Sequence, residues 1–192
     1  MKNKFLTYLP RIVPILFFVT FSLIFYYSSP ESVIGFVGVE NAYGLIFVLA
    51  LAGGLTTFSG IPYHLVLVAL ATGGLNPFVL GGVTALGVML GDSTSYYIGY
   101  QGRLLMPHRL QTALQKLSVL EDKYPKLLPF FFLLFGSCLP FSNDVITIPM
   151  GFLHYPFWRV IIPLGLGNLI FNVALALIAA HAYEVLQALP FF

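Results

Sequence analysis

Residues 41–91 read NAYGLIFVLALAGGLTTFSGIPYHLVLVALATGGLNPFVLGGVTALGVMLG, with no Asp, Glu, Lys or Arg between Glu40 and Asp92. A helix needs about 20 apolar residues to cross the hydrocarbon core of a bilayer, so this run is too long for one crossing. It is punctuated by Gly53-Gly54, by Ser59-Gly60-Ile61-Pro62 and by Gly73-Gly74-Leu75-Asn76-Pro77, all turn formers or helix breakers. The breaks leave Ala42 to Thr57 and Tyr63 to Thr72, each short for a crossing, and Phe78 to Tyr100, long enough for one. Two short limbs around a break predict a re-entrant hairpin. Irregular backbone at membrane depth survives only where protein buries it or a watery cavity wets it, so such a hairpin lines a site rather than facing lipid.

The rest of the chain agrees with a lipid solvent. It has 192 residues, 58% hydrophobic and only 8% charged, against roughly 25% charged in ordinary soluble domains. That composition excludes a soluble globular domain. The single Cys138 cannot form an internal disulfide, and no zinc-type spacing of Cys and His occurs. A net charge of +2 comes from no dense basic block, so nucleic acid is not an expected partner.

Three further charge-free runs complete the organisation, at 12–30, 127–143 and 160–183. The first follows Lys2, Lys4 and Arg11 but is longer than a signal core and lacks a small-residue cleavage pattern, so a retained first membrane helix is expected. Residues 103–126 place Leu110, Leu114, Leu117 and Tyr124 opposite Arg109, Gln111, Lys116 and Lys123, the pattern of a helix lying on the membrane surface. Then the first pattern returns: a limb from Leu127 to Gly136, a break at Ser137 to Asn143 containing Pro140, a limb to Leu153, a turn at Tyr155-Pro156 and a long helix from Phe157 to Tyr183. An offset of 78 places Ser59 on Ser137, Pro62 on Pro140, Gly73 on Gly151 and Leu75 on Leu153.

The expected fold is therefore an all-α integral membrane protein with an inverted-topology repeat, each half a broken re-entrant hairpin plus a long transmembrane helix, with one extra N-terminal transmembrane helix. Its parts are 1–34, the N-terminal tail and first helix; 35–102, the first repeat with its hairpin at 42–75 and helix at 78–100; 103–126, the amphipathic segment; 127–183, the second repeat with its hairpin at 127–153 and helix at 157–183; and 184–192, an outer tail. With the N-terminus in the cytoplasm and the C-terminus outside, all nine Lys and Arg fall on the cytoplasmic side, as the positive-inside rule requires. This makes the protein a multi-pass component of the cell membrane.

Few residues can carry chemistry. Asp92 and Asp144 interrupt apolar sequence, and an acid at mid-helix costs about 2.5–3.5 kcal/mol to insert, so both must face protein or water. Ser142, Asn143 and Asp144 stand where a half-helix starts and either cap it or line a substrate or proton path; Pro149 after β-branched residues predicts a partly extended limb there. Asp92 shares a helix face with Ser95 and Tyr96, and is either a hydrogen-bonded packing residue or part of a transport path. Gly87, Gly91, Ser95 and Gly99 form a small-residue ridge, and Asn168 and Asn172 with Ala176 and Ala180 form a second; either can pack within one chain or between two, so a homo-oligomer stays open. His64, two residues past the first break, either makes an ordinary hydrogen bond or carries a proton. Arg159 either snorkels to the interface or meets a lipid phosphate. No nucleophile–base constellation, phosphate loop or metal set is legible. Two membrane aspartates raise an intramembrane aspartyl hydrolase, whose GxGD segment Met89-Leu90-Gly91-Asp92 lacks in its first Gly; a transport protein rather than an enzyme is expected, with no cofactor and no metal.

Several of these motifs together resemble the DedA family, also called the VTT-domain or SNARE-associated superfamily, over roughly residues 35–182. They are Phe58-Ser59-Gly60-Ile61-Pro62 with its following Gly-Gly turn, Gly91-Asp92 with Tyr97-Ile98-Gly99-Tyr100-Gln101-Gly102, and Leu139-Pro140-Phe141-Ser142-Asn143-Asp144 leading to Pro149-Met150-Gly151. The resemblance implies a lipid translocase or scramblase acting on phospholipid or polyprenyl phosphate, with protons as a coupling ion in some members. The sequence departs from the better-studied bacterial pattern, which has an acid just after the first-hairpin proline and arginines around the second; Tyr63-His64 and Ser142-Asn143 stand there instead. A proton-coupled small-ion or solute transporter and a non-transporting membrane assembly factor are the alternatives.

Overall fold

The computed structural model describes residues 20, 30–55, 62–102, 126–139 and 141–187. The predicted first membrane helix and the amphipathic segment at 103–126, except its last residue, lie outside the described residues, as do Gly60 and Pro140 of the two breaks. Among the described residues the chain is helical throughout: α1 (Pro30–Val37), α2 (Val39–Leu55), α3 (Tyr63–Thr72), α4 (Pro77–Gln101), α5 (Leu127–Cys138), α6 (Asp144–Phe152) and α7 (Phe157–Gln187). Two of them, Pro77–Gln101 and Phe157–Val185, are long and apolar enough to cross a membrane. Helix α1 was not legible as a separate element; Gly38, at φ +84°, separates it from α2.

The punctuation at 73–77 acts as the sequence predicts, whereas Gly53-Gly54 lies inside α2, where Gly54 meets α4, and does not break it. Asn76 caps α4, its Oδ1 accepting from the N–H of Phe78 at 2.9 Å and of Val79 at 3.3 Å, and Pro77 takes the first helical position, where a missing N–H costs nothing. Helix α3 ends at the Gly73-Gly74 turn, where Gly74 takes φ +91° and Leu75 N–H reaches back to the carbonyl of Leu70. Helix α6 ends in the same way: His154 takes φ +56° and Tyr155 N–H reaches the carbonyl of Met150. A left-handed residue other than Gly is uncommon, and His154 is held there by its ring stacking on Tyr100, centroids 3.9 Å apart.

These two turns lie 80 positions apart, against the 78 at which residue identities align. At 80 the buried Leu70 matches Met150, Leu75 matches Tyr155, Leu80 matches Val160 and Asp92 matches Asn172. Gly73 and Gly151, paired at 78, do different work: Gly73 ends its helix, whereas Gly151 lies within α6 against Tyr96 and Tyr100 of α4. Pro149 likewise sits inside a continuous α6 rather than in an extended limb. The one backbone hydrogen bond it removes is offset by docking, since α6 packs tightly along α4.

Packing pairs the elements in a crossed pattern. The first limb of each hairpin lies on the long helix that follows its own hairpin: α2 on α4, and α5 on α7. The second limbs exchange: α3 lies on α7 and α6 on α4, while α4 and α7 cross each other. Glycine makes the close approaches possible. A Cβ on Gly91 would meet the backbone of Gly54 at 2.5 Å, and one on Gly167 would meet the carbonyl of Leu133 at 2.5 Å. The core divides accordingly into one cluster around Ile46, Leu67 and Leu80 and another around Phe132, Ile161 and Leu164.

Candidate functional site

Where α6 begins against α4, three buried polar residues meet: Asp92, Asn143 and Asp144. Asn143 Nδ2 donates to Asp92 Oδ2 at 2.6 Å, a bond between residues 51 positions apart. Asp144 follows directly and lies within electrostatic reach of Asp92; its Oδ2 accepts from Ser142 Oγ at 3.0 Å. From α7, Asn168 faces the Asp92 carboxylate outside good hydrogen-bond geometry, and from α3, Tyr63 lies within reach of the same charge. One carboxylate thus gathers residues from α3, α4, the α6 start and α7. Asp92 is 3% exposed.

Capping is not what Asn143 does. The sequence places Ser142, Asn143 and Asp144 as alternative caps, but the Asn143 side chain caps nothing and turns to Asp92 instead. The first-turn N–H groups use local partners: Asp144 N–H meets Ser142 Oγ at 3.4 Å and Ile146 N–H meets the carbonyl of Asn143 at 2.8 Å.

The other predicted residues take separate places. Ser95 and Tyr96, on the Asp92 face, bond elsewhere, Ser95 Oγ to the carbonyl of Gly54 at 3.3 Å and Tyr96 to the carbonyl of Tyr155. The Gly87, Gly91, Ser95 and Gly99 ridge packs inside the chain, its first three residues on α2 and Gly99 on Ile148 of α6. Pro62 immediately precedes α3 and offers no side-chain cap. His64 packs among aromatic rings, 3.9 Å from the Tyr63 centroid and edge-on to Phe171 at 5.6 Å. Asn172, on α7, turns to its own helix, its Nδ2 donating to the Asn168 carbonyl at 2.8 Å. Arg159 is exposed in the first turn of α7, and at 1.5 Å per residue lies about 13 Å along the axis from Asn168. It does not join the cluster. Sequence reasoning missed Tyr63 as a neighbour of Asp92; the signal was its place at the first residue of a limb, equivalent to Asn143 at 80.

Among the described residues no group of three or more His, Cys, Asp or Glu stands ready for a metal ion. Two helices of spanning length, two shorter pairs crossed upon them, and a carboxylate held by an amide at their junction define a helical membrane protein with a polar centre. The VTT domain matches residues 61–181, well over half of the chain, and the chain belongs to that family, the DedA or SNARE-associated family. No curated protein and no solved structure matches it.

Proposed function

We propose that this protein is a lipid translocase, moving the head group of a phospholipid or a polyprenyl phosphate between two re-entrant hairpins that enter the membrane from opposite faces. The observation that carries the reading is the Asn143–Asp92 bond at the junction of the second hairpin with the first long helix. An ionisable residue inside a membrane bundle is expensive and marks a pathway by default. The crossed packing supports the hairpins, since repeat transporters form their sites from broken segments at the interface of two halves. Family membership supports the membrane setting. Asp92 and Asp144 are the acids through which a pH gradient would couple to lipid movement. The rival, a small-ion or solute transporter, uses broken helices in the same way.

Purified protein in liposomes tests the reading. Flipping of labelled phospholipid or polyprenyl phosphate, followed with and without a pH gradient, is expected in wild type and is expected to fall in Asp144→Asn. A specific ion flux with no lipid movement would replace this reading by the rival.

Orientation has its own test. With Cys138 replaced, single cysteines at Glu31 and Glu184 are expected to react with an impermeant thiol reagent from outside, and one at Lys116 only from inside. Outside labelling at Lys116 would reject a cytoplasmic N-terminus.

A further inference from the structure

Where α4 and α7 cross, a cavity of about 340 Å³ opens on the flank of the pair. Its lining is apolar and repeats at the spacing of the two turns: Ala85 with Gly165, Leu86 with Leu166, and Met89 with Leu169. The cavity lies along the first half of each of the two helices long enough to cross a membrane. Leu86 and Leu166 at its rim are exposed, and Leu90 and Ile170 continue the apolar surface beyond it. In a membrane the medium at that place is hydrocarbon, and an unfilled hollow forfeits the dispersion contacts of its walls. The walls also lead to the polar centre. Met89 precedes Asp92 by one helical turn, and Gly165 precedes Asn168 by one. An occupant that matches both features has a flexible apolar chain and a polar end.

We propose that this cavity seats one hydrocarbon chain of a membrane lipid, with the lipid's polar end directed to the Asp92–Asn143 pair. The proposal rests on the translocase reading and deepens it by assigning a place to the tail as well as to the head group. A second copy of the chain is the competing occupant.

Gly82 supplies the means of testing it. It lines the cavity, and a Cβ built on it meets nothing within 4 Å, so a larger side chain enters empty space without displacing backbone. Leucine also favours helix over glycine, so Gly82→Leu is expected to fold. The protein is reconstituted in vesicles of phosphatidylethanolamine and phosphatidylglycerol, with a phosphatidylglycerol carrying a diazirine midway along one acyl chain. After illumination, labelled peptides are mapped by mass spectrometry. Labelling at the cavity residues is expected to exceed that at Val48 and Leu134, exposed on other helices, by roughly threefold, since inside lipid only packing supplies a preference. Gly82→Leu is expected to bring it down to the level of those references, and Gly82→Ala to lower it in part.

Uniform labelling in wild type, or an excess that survives Gly82→Leu, overturns the proposal, and so does cross-linking of a cysteine at Leu86 to a second copy. The wild-type comparison needs no variant, so a misfolded Gly82→Leu leaves it decisive. The flipping assay on the same vesicles separates the two readings. An excess that Gly82→Leu abolishes, in vesicles where wild type moves no lipid, keeps the tail site and removes the translocase; flipping without an excess does the reverse.

Discussion

Gly91→Ala is expected to destabilise the protein even though alanine is the better helix former by about 1 kcal/mol. The new Cβ would stand 2.5 Å from the carbonyl carbon of Gly54, 2.6 Å from its Cα and 2.8 Å from the Leu51 oxygen. All three are backbone atoms, so no side chain can swing aside; α2 must move off α4. That displacement also strains the Ser95 bond to the Gly54 carbonyl. Overpacking of a close-packed interior costs about 1–3 kcal/mol, and Gly91→Val, with two further methyl groups, is expected to exceed about 4 kcal/mol, the range of exceptional single substitutions. Thermal unfolding in detergent, followed by the loss of the monodisperse peak, measures both. Gly82→Ala provides the opposite sign in the same helix, because its Cβ meets open space; it is expected to unfold at the same temperature as wild type or higher. A neutral Gly91→Ala would mean that α2 and α4 are not in the observed contact.

The second large effect concerns the buried pair. Asn143→Leu removes the donor from a carboxylate that is almost wholly enclosed. The cost of leaving such a group without its bond is about 1–3 kcal/mol and more for a charged one. Replacing both partners is different, since two apolar residues of similar shape leave nothing unsatisfied between them. The double variant Asp92→Leu with Asn143→Leu is therefore expected to recover most of the stability lost in Asn143→Leu. Lipid flipping is expected to stay lost in that double variant if Asp92 lies on the pathway. Thermal unfolding and the liposome assay on the same preparations read the two effects apart. Flipping that returns together with stability would reduce Asp92 to a packing residue.

Much of the local structure was legible because its causes are local. The length of an apolar run against the thickness of hydrocarbon selects the spanning helices, and Gly73-Gly74, Asn76 and Pro77 end one helix and start the next through their own backbone preferences. The limb from Tyr63 to Thr72 falls where these breakers place it. Asp92 stood out for the same kind of reason, an acid in a stretch where its insertion is costly.

The partners of those elements were not legible. Whether Asn143 caps α6 or reaches Asp92 depends on how closely α6 approaches α4, and that approach is permitted by Gly99 and Gly151, which lie 52 positions apart in different helices. The spacing of 80 between the two turns escaped because apolar residues substitute freely for one another in lipid, so turn geometry leaves few identities to read. Sequence alone determined where α3, α4 and α7 run and that Asp92 and Asp144 lie buried among apolar residues, since propensity and transfer cost act residue by residue. Only the tertiary structure decided that α3 and α6 exchange long helices and bring Tyr63, Asn143, Asp144 and Asn168 to Asp92, because close packing selects among contacts that no single segment encodes.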